Sequence, residues 1–410
     1  MIHKNFYAGL VLGLIGLLLI VPGCNTFEAL TPKEPVTITF LYWGDQTYYQ
    51  NMVTKFNETS PHITVELTSW RSMGRGEDMP DFDAWMDSQY RMGFGIETAA
   101  PLSLEGLLEP SARDDFYPVA LEAFTEEGKL RALPIGCDMT VMYYNKQLFN
   151  AMNVPYPPTG WTWADFVEIG EQLTHPDANR FGFAAQALGA ETTEVMTFLF
   201  QHGGQLFDDP THPTRMVFNT PANVEALKWY AGLFNENQIA PRPGQMSPFP
   251  YPDEGIRQGL YAMWHGMLSE YSEYADAIGV ENLGVIALPR DVNGASFGGV
   301  VGLYLSSESL NPEAGWEWIA FLSQQTLPGL FPARRSIAES APYAATMSSD
   351  VLAAAKNAIG ELTVIRFDMS GDFGKTLGAS MQAWQAALTE IRSGEDVQTA
   401  LDKAESKAGQ

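Results

Sequence analysis

An apolar run closed by one cysteine, with a single further cysteine in everything that follows, constrains this chain most. Residues 6–21 are apolar or small without a break, and the polar or basic residues His3, Lys4 and Asn5 precede them. That is the pattern of a secretory signal, and the run falls short of the roughly 20 residues a comfortable transmembrane helix needs. The expected product is an exported domain. Beyond Cys24 only Cys137 remains, and one thiol makes no internal disulfide. Residues 36–410 must therefore hold together by burying their own apolar surface. A chain of that length exceeds what one hydrophobic core serves, which predicts two lobes.

The boundary "VPGC" sets Val21 three residues before Cys24 and Gly23 directly before it. It resembles the lipobox of bacterial lipoproteins, which implies a signal peptide over 1–23, acylation of Cys24, and a tether over 24–35. The alternative is an uncleaved membrane anchor. Both place the rest of the chain outside the cytoplasm, and more than one acyl chain is what stable anchoring requires. Residues 25–35 carry two prolines and no periodicity, as a tether would.

The formal net charge of −25 makes the surface repel nucleic acid and anionic headgroups. It also disfavours a strongly anionic ligand. Aromatic residues reach 12%, a surplus that calls for a use beyond the core.

"VTITFLYWGD" alternates with both faces fairly apolar, as in a strand buried within an α/β sheet. A helix across Tyr49 to Phe56 and a strand from Ile63 to Leu67 follow, with a short strand in "PDFDAWMD". Strand, helix, strand predicts parallel order. Farther on, Thr140 to Tyr144 reads as a strand entering a helix. Thr162 is a candidate N-cap with Asp165 three residues on. Thr220 caps a helix with Pro221 at its first position and a buried stripe of Val224, Leu227, Ala231 and Phe234. Asn311 and Pro312 repeat that logic. "GVVGLYLSS" is a late apolar strand, and the tail from Asp350 is helical. The loop "APRPGQMSPFPYPDEG" is a stiff connection whose Phe249 and Tyr251 either pack or face a ligand.

No H-E-x-x-H, G-x-x-x-x-G-K-[ST] or C-x-x-C pattern occurs. His202, Asp208, Asp209 and His212 form the densest group of metal-ligand types, and a solvated loop between helix and strand is the simpler account of them. The aspartates of "DMPDFDAWMD" lack the frame of a calcium loop. Cys137 reads as a buried residue. No cofactor and no metal are expected.

Six segments in order resemble the family 1 extracellular solute-binding proteins of ABC importers, the group that includes maltose-binding proteins. They are "ITFLYWGD"; "FNETSPHITVEL"; "GKLRALPIGCDMTVMYYNKQLFNAMNVPYPPTGWTWADF"; "FLFQHGGQLFDD"; "EGIRQGLYAMWHGM" with "PEAGWEWIAFL"; and "PARRS". The resemblance covers nearly all of residues 36–410. It implies an α/β, two-lobed periplasmic-binding-protein fold of the type II-like form. Its lobes are discontinuous: 36–138 plus 302–328, and 141–298 plus 332–410. Ligand held between them would close the cleft by hinge motion, and the closed form would dock on a membrane permease. The implied protein is a monomer, anchored outside the membrane, that delivers a mono- or oligosaccharide and binds no nucleic acid. The rivals are an exported glycan-active enzyme, and the same fold with a phosphodiester, polyol or peptide ligand.

A sugar needs flat aromatics against its ring faces and carboxylates, amides or arginine against its hydroxyls. Trp43 and Asp45 follow the first strand's carboxyl end, the edge that faces the crevice in open α/β sheets. Asp87 ends a comparable strand. The resemblance implies ligand contacts at Asp138, before a crossing strand, and at Trp264, with His265 and Gly266 beside it. Gly298 and Gly299 start a crossing strand where a backbone can approach a ligand. Arg335 is the candidate cation, with Arg334 its rival. Glu191 and Glu194 stand where some relatives carry aromatics.

Overall fold

Strands here are mostly apolar on both faces, so they are expected inside the molecule with helices covering them. The structure, a computed structural model of the full chain, describes residues 34–72, 82–89, 101–186, 191–209, 213–242, 252–365 and 372–408. The apolar leader, Cys24, most of the tether, His212, and the loop residues Phe249 and Tyr251 lie outside the described residues. No helix among the described residues is long and apolar enough to cross a membrane.

Twelve strands are described. They are β1 (Val36–Tyr42), β2 (Ile63–Ser69), β3 (Ala84–Ser88), β4 (Thr125–Glu126), β5 (Lys129–Leu130), β6 (Ala132–Asn145), β7 (Phe181–Ala184), β8 (Tyr261–Met267), β9 (Leu283–Ile286), β10 (Ser296–Leu305), β11 (Phe331–Pro332) and β12 (Leu362–Thr363). The main sheet runs β2-β1-β3-β10-β6-β8-β7, while β4 and β5 form a separate hairpin. β1 is parallel to β2 and β3, as strand-helix-strand order requires. β10 is antiparallel to both β3 and β6.

β6 organises the fold. Its first half, Ala132–Met139, pairs with β10, and from Thr140 it pairs with β8 and β9. β10 likewise pairs with β12 at Ser296 and Phe297 before it meets β6 and β3. β11 adds a short contact opposite Gly136 and Cys137. β6 is 14 residues long, far beyond the Thr140–Tyr144 expected. Its first half contains Pro134 and Gly136, residues that weaken a strand pattern in sequence. Gly298 explains how β10 passes so near: a Cβ there would lie 2.1 Å from the Asp138 carbonyl oxygen.

Buried apolar side chains form two clusters. One holds Phe40, Trp85, Tyr304 and Trp318, together with Tyr143 and Trp264. The other holds Phe166, Phe198, Tyr230 and Trp384. The expected cap at Thr162 is a full capping box with Asp165, and Thr220 accepts from the Asn223 amide. Asn311 precedes its helix but makes no side-chain cap.

Candidate functional site

A cavity of about 510 Å³ opens where β6 and β10 change partners. Trp43, Asp45, Asp138, His265, Gly266, Gly298 and Gly299 are on its wall. Asp87, Trp264 and Arg335 are not.

β1 delivers the first pair. Gly44, at φ 111°, turns the chain in a way side chains resist, and Asp45 then caps the helix Gln46–Asn57 by accepting from the Tyr48 amide at 2.9 Å. The cap anchors the strand-to-helix turn and leaves Trp43 38% exposed. An exposed indole beside the cavity is a ready stacking surface. The Tyr48 hydroxyl donates to the Thr326 carbonyl at 2.9 Å, tying this helix to the wall segment that contains Leu327 and Pro328.

Asp138 sits at the β6 partner change. Its Oδ2 accepts from the Ser269 hydroxyl at 2.6 Å, and its Oδ1 from the Ser269 amide at 3.0 Å and the Met139 amide at 3.1 Å. Burial raises its pKa, against the opposing pull of these hydrogen bonds. The carboxylate therefore both braces the segment after β8 and faces the cavity.

On another part of the wall Glu194 is paired with Arg392 at 3.5 Å, each 1% exposed. The Tyr230 hydroxyl donates to Glu194 at 2.8 Å and the Gln186 amide at 3.0 Å. Arg392 donates to Tyr230 at 3.0 Å and to the Gln186 carbonyl at 2.8 Å. Glu194 stands where some relatives carry aromatics and could offer a ligand hydrogen bonds instead. The structure makes it half of a buried ion pair that sets the wall's shape.

His265 is buried between the Phe183 and Phe198 rings, and neither ring nitrogen has a partner. Burial lowers its pKa from 6.5 to about 3. The unfolded chain takes up this proton near pH 6.5 and the folded chain does not, so stability present above that pH drains away below it. By pH 5 the loss from this group amounts to about 2 kcal/mol. Urea unfolding of His265→Phe at pH 7 and pH 5 should show a correspondingly shallower acid dependence. Equal slopes for both proteins would contradict the assignment.

Three expectations are corrected by the geometry. Trp264 is 0% exposed, stacked on Tyr143 at 6.1 Å and edge-on to Tyr274 at 5.4 Å. It faces the first core cluster because β8 is buried on both sides. Asp87 pairs opposite Gly302 in the sheet and accepts from the Ser88 amide at 2.7 Å, which turns it off the wall that Met86 and Ser88 share. Arg335 is exposed, with its guanidinium on the Asp114 carbonyl. Its rival Arg334 is also structural, paired with Asp115 at 3.3 Å over the Phe116 ring.

Other wall residues were not anticipated, among them Tyr48, Gln186, Thr193, Met267, Glu270 and Phe297. Gly294 to Gly298 also spells G-x-S-x-G, a pattern read in hydrolases as a nucleophile turn. Here Ser296 opens a strand rather than a strand-to-helix turn, and its buried hydroxyl donates to the Thr140 carbonyl at 2.8 Å. The Cys137 thiol is buried and pushed up to about 12 by desolvation, which leaves it unreactive. Among the described residues no group of three or more His, Cys, Asp or Glu is placed to hold a metal ion.

Comparison with known proteins places this architecture. The arabinooligosaccharide-binding protein of Bacillus subtilis is 25% identical over 248 residues, 56% of this chain and 54% of that protein. An ABC substrate-binding protein of Listeria monocytogenes, solved in complex with cycloalternan, superposes with TM-score 0.70 at 21% identity, covering 92% of this chain and 98% of the other. The cyclic alpha-maltosyl-1,6-maltose binding protein of Arthrobacter globiformis superposes with TM-score 0.72 at 18% identity over 91% and 98%. Residues 42–325 match the family described as bacterial extracellular solute-binding protein. With most of its length inside that match and the same fold throughout, this chain belongs to the bacterial extracellular solute-binding protein family.

Proposed function

We propose that this chain is the extracytoplasmic receptor of an ABC importer, and that it captures a carbohydrate in the cavity and hands it on chemically unchanged. The observation that carries the reading is the cavity itself: about 510 Å³, with an exposed indole at Trp43 and carboxylates at Asp45 and Asp138 on its wall. An apolar face meets a ring face, and the carboxylates accept from hydroxyls. Relatives whose names record oligosaccharide ligands support the same class. Gly266, Gly298 and Gly299 bring backbone to the wall where side chains would fill it.

In this reading the lobes are 36–138 plus 302–328 and 141–298 plus 332–410. The partner changes of β6 at Met139 and of β10 at Gly298 are its hinge strands. Acylated Cys24 holds a monomeric receptor at the membrane beside its permease. The chain is a carrier rather than an enzyme, and the use of the Ser296 hydroxyl in a structural hydrogen bond supports that side.

A thermal-shift screen of the full chain against mono- and oligosaccharides tests the ligand class. A cognate sugar at a hundred times its Kd stabilises by about 2.7 kcal/mol. No shift with any saccharide, beside a clear shift with a phosphate ester or a peptide, would overturn the carbohydrate reading and leave the fold assignment intact.

A further inference from the structure

The cavity wall is mainly apolar. Six apolar side chains on it are not fully buried: Trp43 past β1, Tyr48 on the helix Gln46–Asn57, Met267 at the end of β8, Phe297 in β10, and Pro328 and Leu330 ahead of β11. They come from separate stretches of the chain, so no single strand face accounts for them. Apolar surface left wet gains free energy when a ligand covers it. Part of this surface is continuous. The Thr140 hydroxyl lies 3.6 Å from the Met267 sulfur and 2.7 Å from the Phe297 carbonyl, which makes those two residues neighbours. A Cβ on Gly329 would lie 3.6 Å from that of Ser269, so the segment with Pro328 and Leu330 packs against the chain just past Met267.

The polar side chains between them are largely engaged within the protein. The Thr140 hydroxyl donates to the Phe297 carbonyl, the Ser269 hydroxyl to Asp138, and the Gln186 amide to the His265 carbonyl at 3.2 Å. The Tyr48 and Tyr49 hydroxyls donate to the Thr326 carbonyl and the Met86 sulfur. Glu270 accepts from the Met267 amide at 2.6 Å, and Glu194 faces Arg392. A carboxylate has about four lone-pair positions, so Asp45 can accept from a ligand hydroxyl while it caps its helix.

Such a wall suits one hydroxylated ring followed by an apolar group. A second hydroxylated ring over Met267 and Phe297 would exchange water for partners already engaged, and buried hydroxyls without partners are costly. The volume of about 510 Å³ has room for both parts. We propose that the ligand is a glycoside with an aromatic aglycone. The sugar ring sits by Trp43 and Asp45, and the aglycone lies against Met267 and Phe297, with Leu330 beside it. The inference rests on the carbohydrate reading given above and narrows it.

Calorimetric titration of the full chain with phenyl and methyl glycosides of the common pyranoses, in both anomers and beside the matching disaccharides, tests it. For the sugar that binds, the phenyl glycoside should bind at least about tenfold more tightly than the methyl glycoside, because covering a ring-sized apolar group is worth a factor of that order. Its heat capacity change on binding should be the more negative of the two. Phe297→Ala should remove most of the phenyl advantage and leave the methyl glycoside's Kd nearly unchanged. Met267→Ala should reduce the same advantage, and it keeps the test if Phe297→Ala melts early. An advantage undiminished in both variants overturns the seat assigned to the aglycone. A methyl glycoside or disaccharide that binds as tightly as the phenyl glycoside overturns this inference and leaves the carbohydrate reading standing. Phenol alone binding as tightly as the phenyl glycoside, or no member of the set binding, overturns both.

Discussion

Replacing Arg392 by methionine is expected to destabilise the fold by about 3–5 kcal/mol, the usual cost of leaving one member of a buried ion pair uncompensated. Arg392 ends the helix Asp372–Arg392 and is 1% exposed, as is Glu194 on the helix Glu191–Gln201. With the guanidinium gone, Glu194 keeps its bonds from Tyr230 and Gln186 but loses the cation that faces it at 3.5 Å. The carboxylate must then take up a proton or draw in water. The double variant Arg392→Met with Glu194→Leu removes both charges and should recover most of the loss, since burying an ion pair is itself expensive. Urea unfolding of the three proteins measures this. A loss below about 1 kcal/mol for Arg392→Met would mean that the pair is solvated and that this wall is not rigid. Because Gln186, Thr193 and Glu194 are wall residues, the single variant should also bind ligand more weakly.

The opposite pattern is expected at Trp43. Trp43→Ala should leave the unfolding midpoint nearly unchanged, because the ring is 38% exposed and contributes little to the core. It should weaken saccharide binding by about 2 kcal/mol, roughly thirtyfold in Kd, which is the worth of covering a large apolar side chain. Trp264→Phe is the control. Trp264 is 0% exposed within the first core cluster, so its effect should fall on stability rather than on affinity. Calorimetry and thermal melting of both variants separate the two roles. A binding loss at Trp264 with none at Trp43 would reverse the assignment of which indole meets the ligand.

Those two tryptophans also show what the sequence could say. The order of elements was legible because it depends on local pattern: the alternation of Val36–Tyr42, the Thr162–Asp165 box, and the Thr220–Pro221 helix start all appear where periodicity and capping chemistry put them. Which way a side chain faces was not legible where both faces of a strand are buried. In β8, Met263 and Trp264 fall in different core clusters, and no alternation of polarity marks which side holds the cavity. Arg334 and Arg335 illustrate another limit. Their partners are Asp114 and Asp115, more than two hundred residues back along the chain, and only the fold brings them together. The same holds for Glu194 and Arg392. Trp43 and Asp45 could be named from the carboxyl end of a strand, whereas Asp138 and the crossing strand at Gly298 came from the family resemblance; all four line the cavity.

The central claim is that a sugar enters this cavity and leaves it intact. Titration of the full chain with a saccharide found by thermal screening, followed by chromatographic recovery of that saccharide after prolonged incubation, tests it most directly. The expected result is one-to-one binding with Kd near or below about 1 μM, close to −8 kcal/mol, and quantitative return of the starting sugar. Steady appearance of a cleaved product, removed by the same substitutions that remove binding, would contradict it.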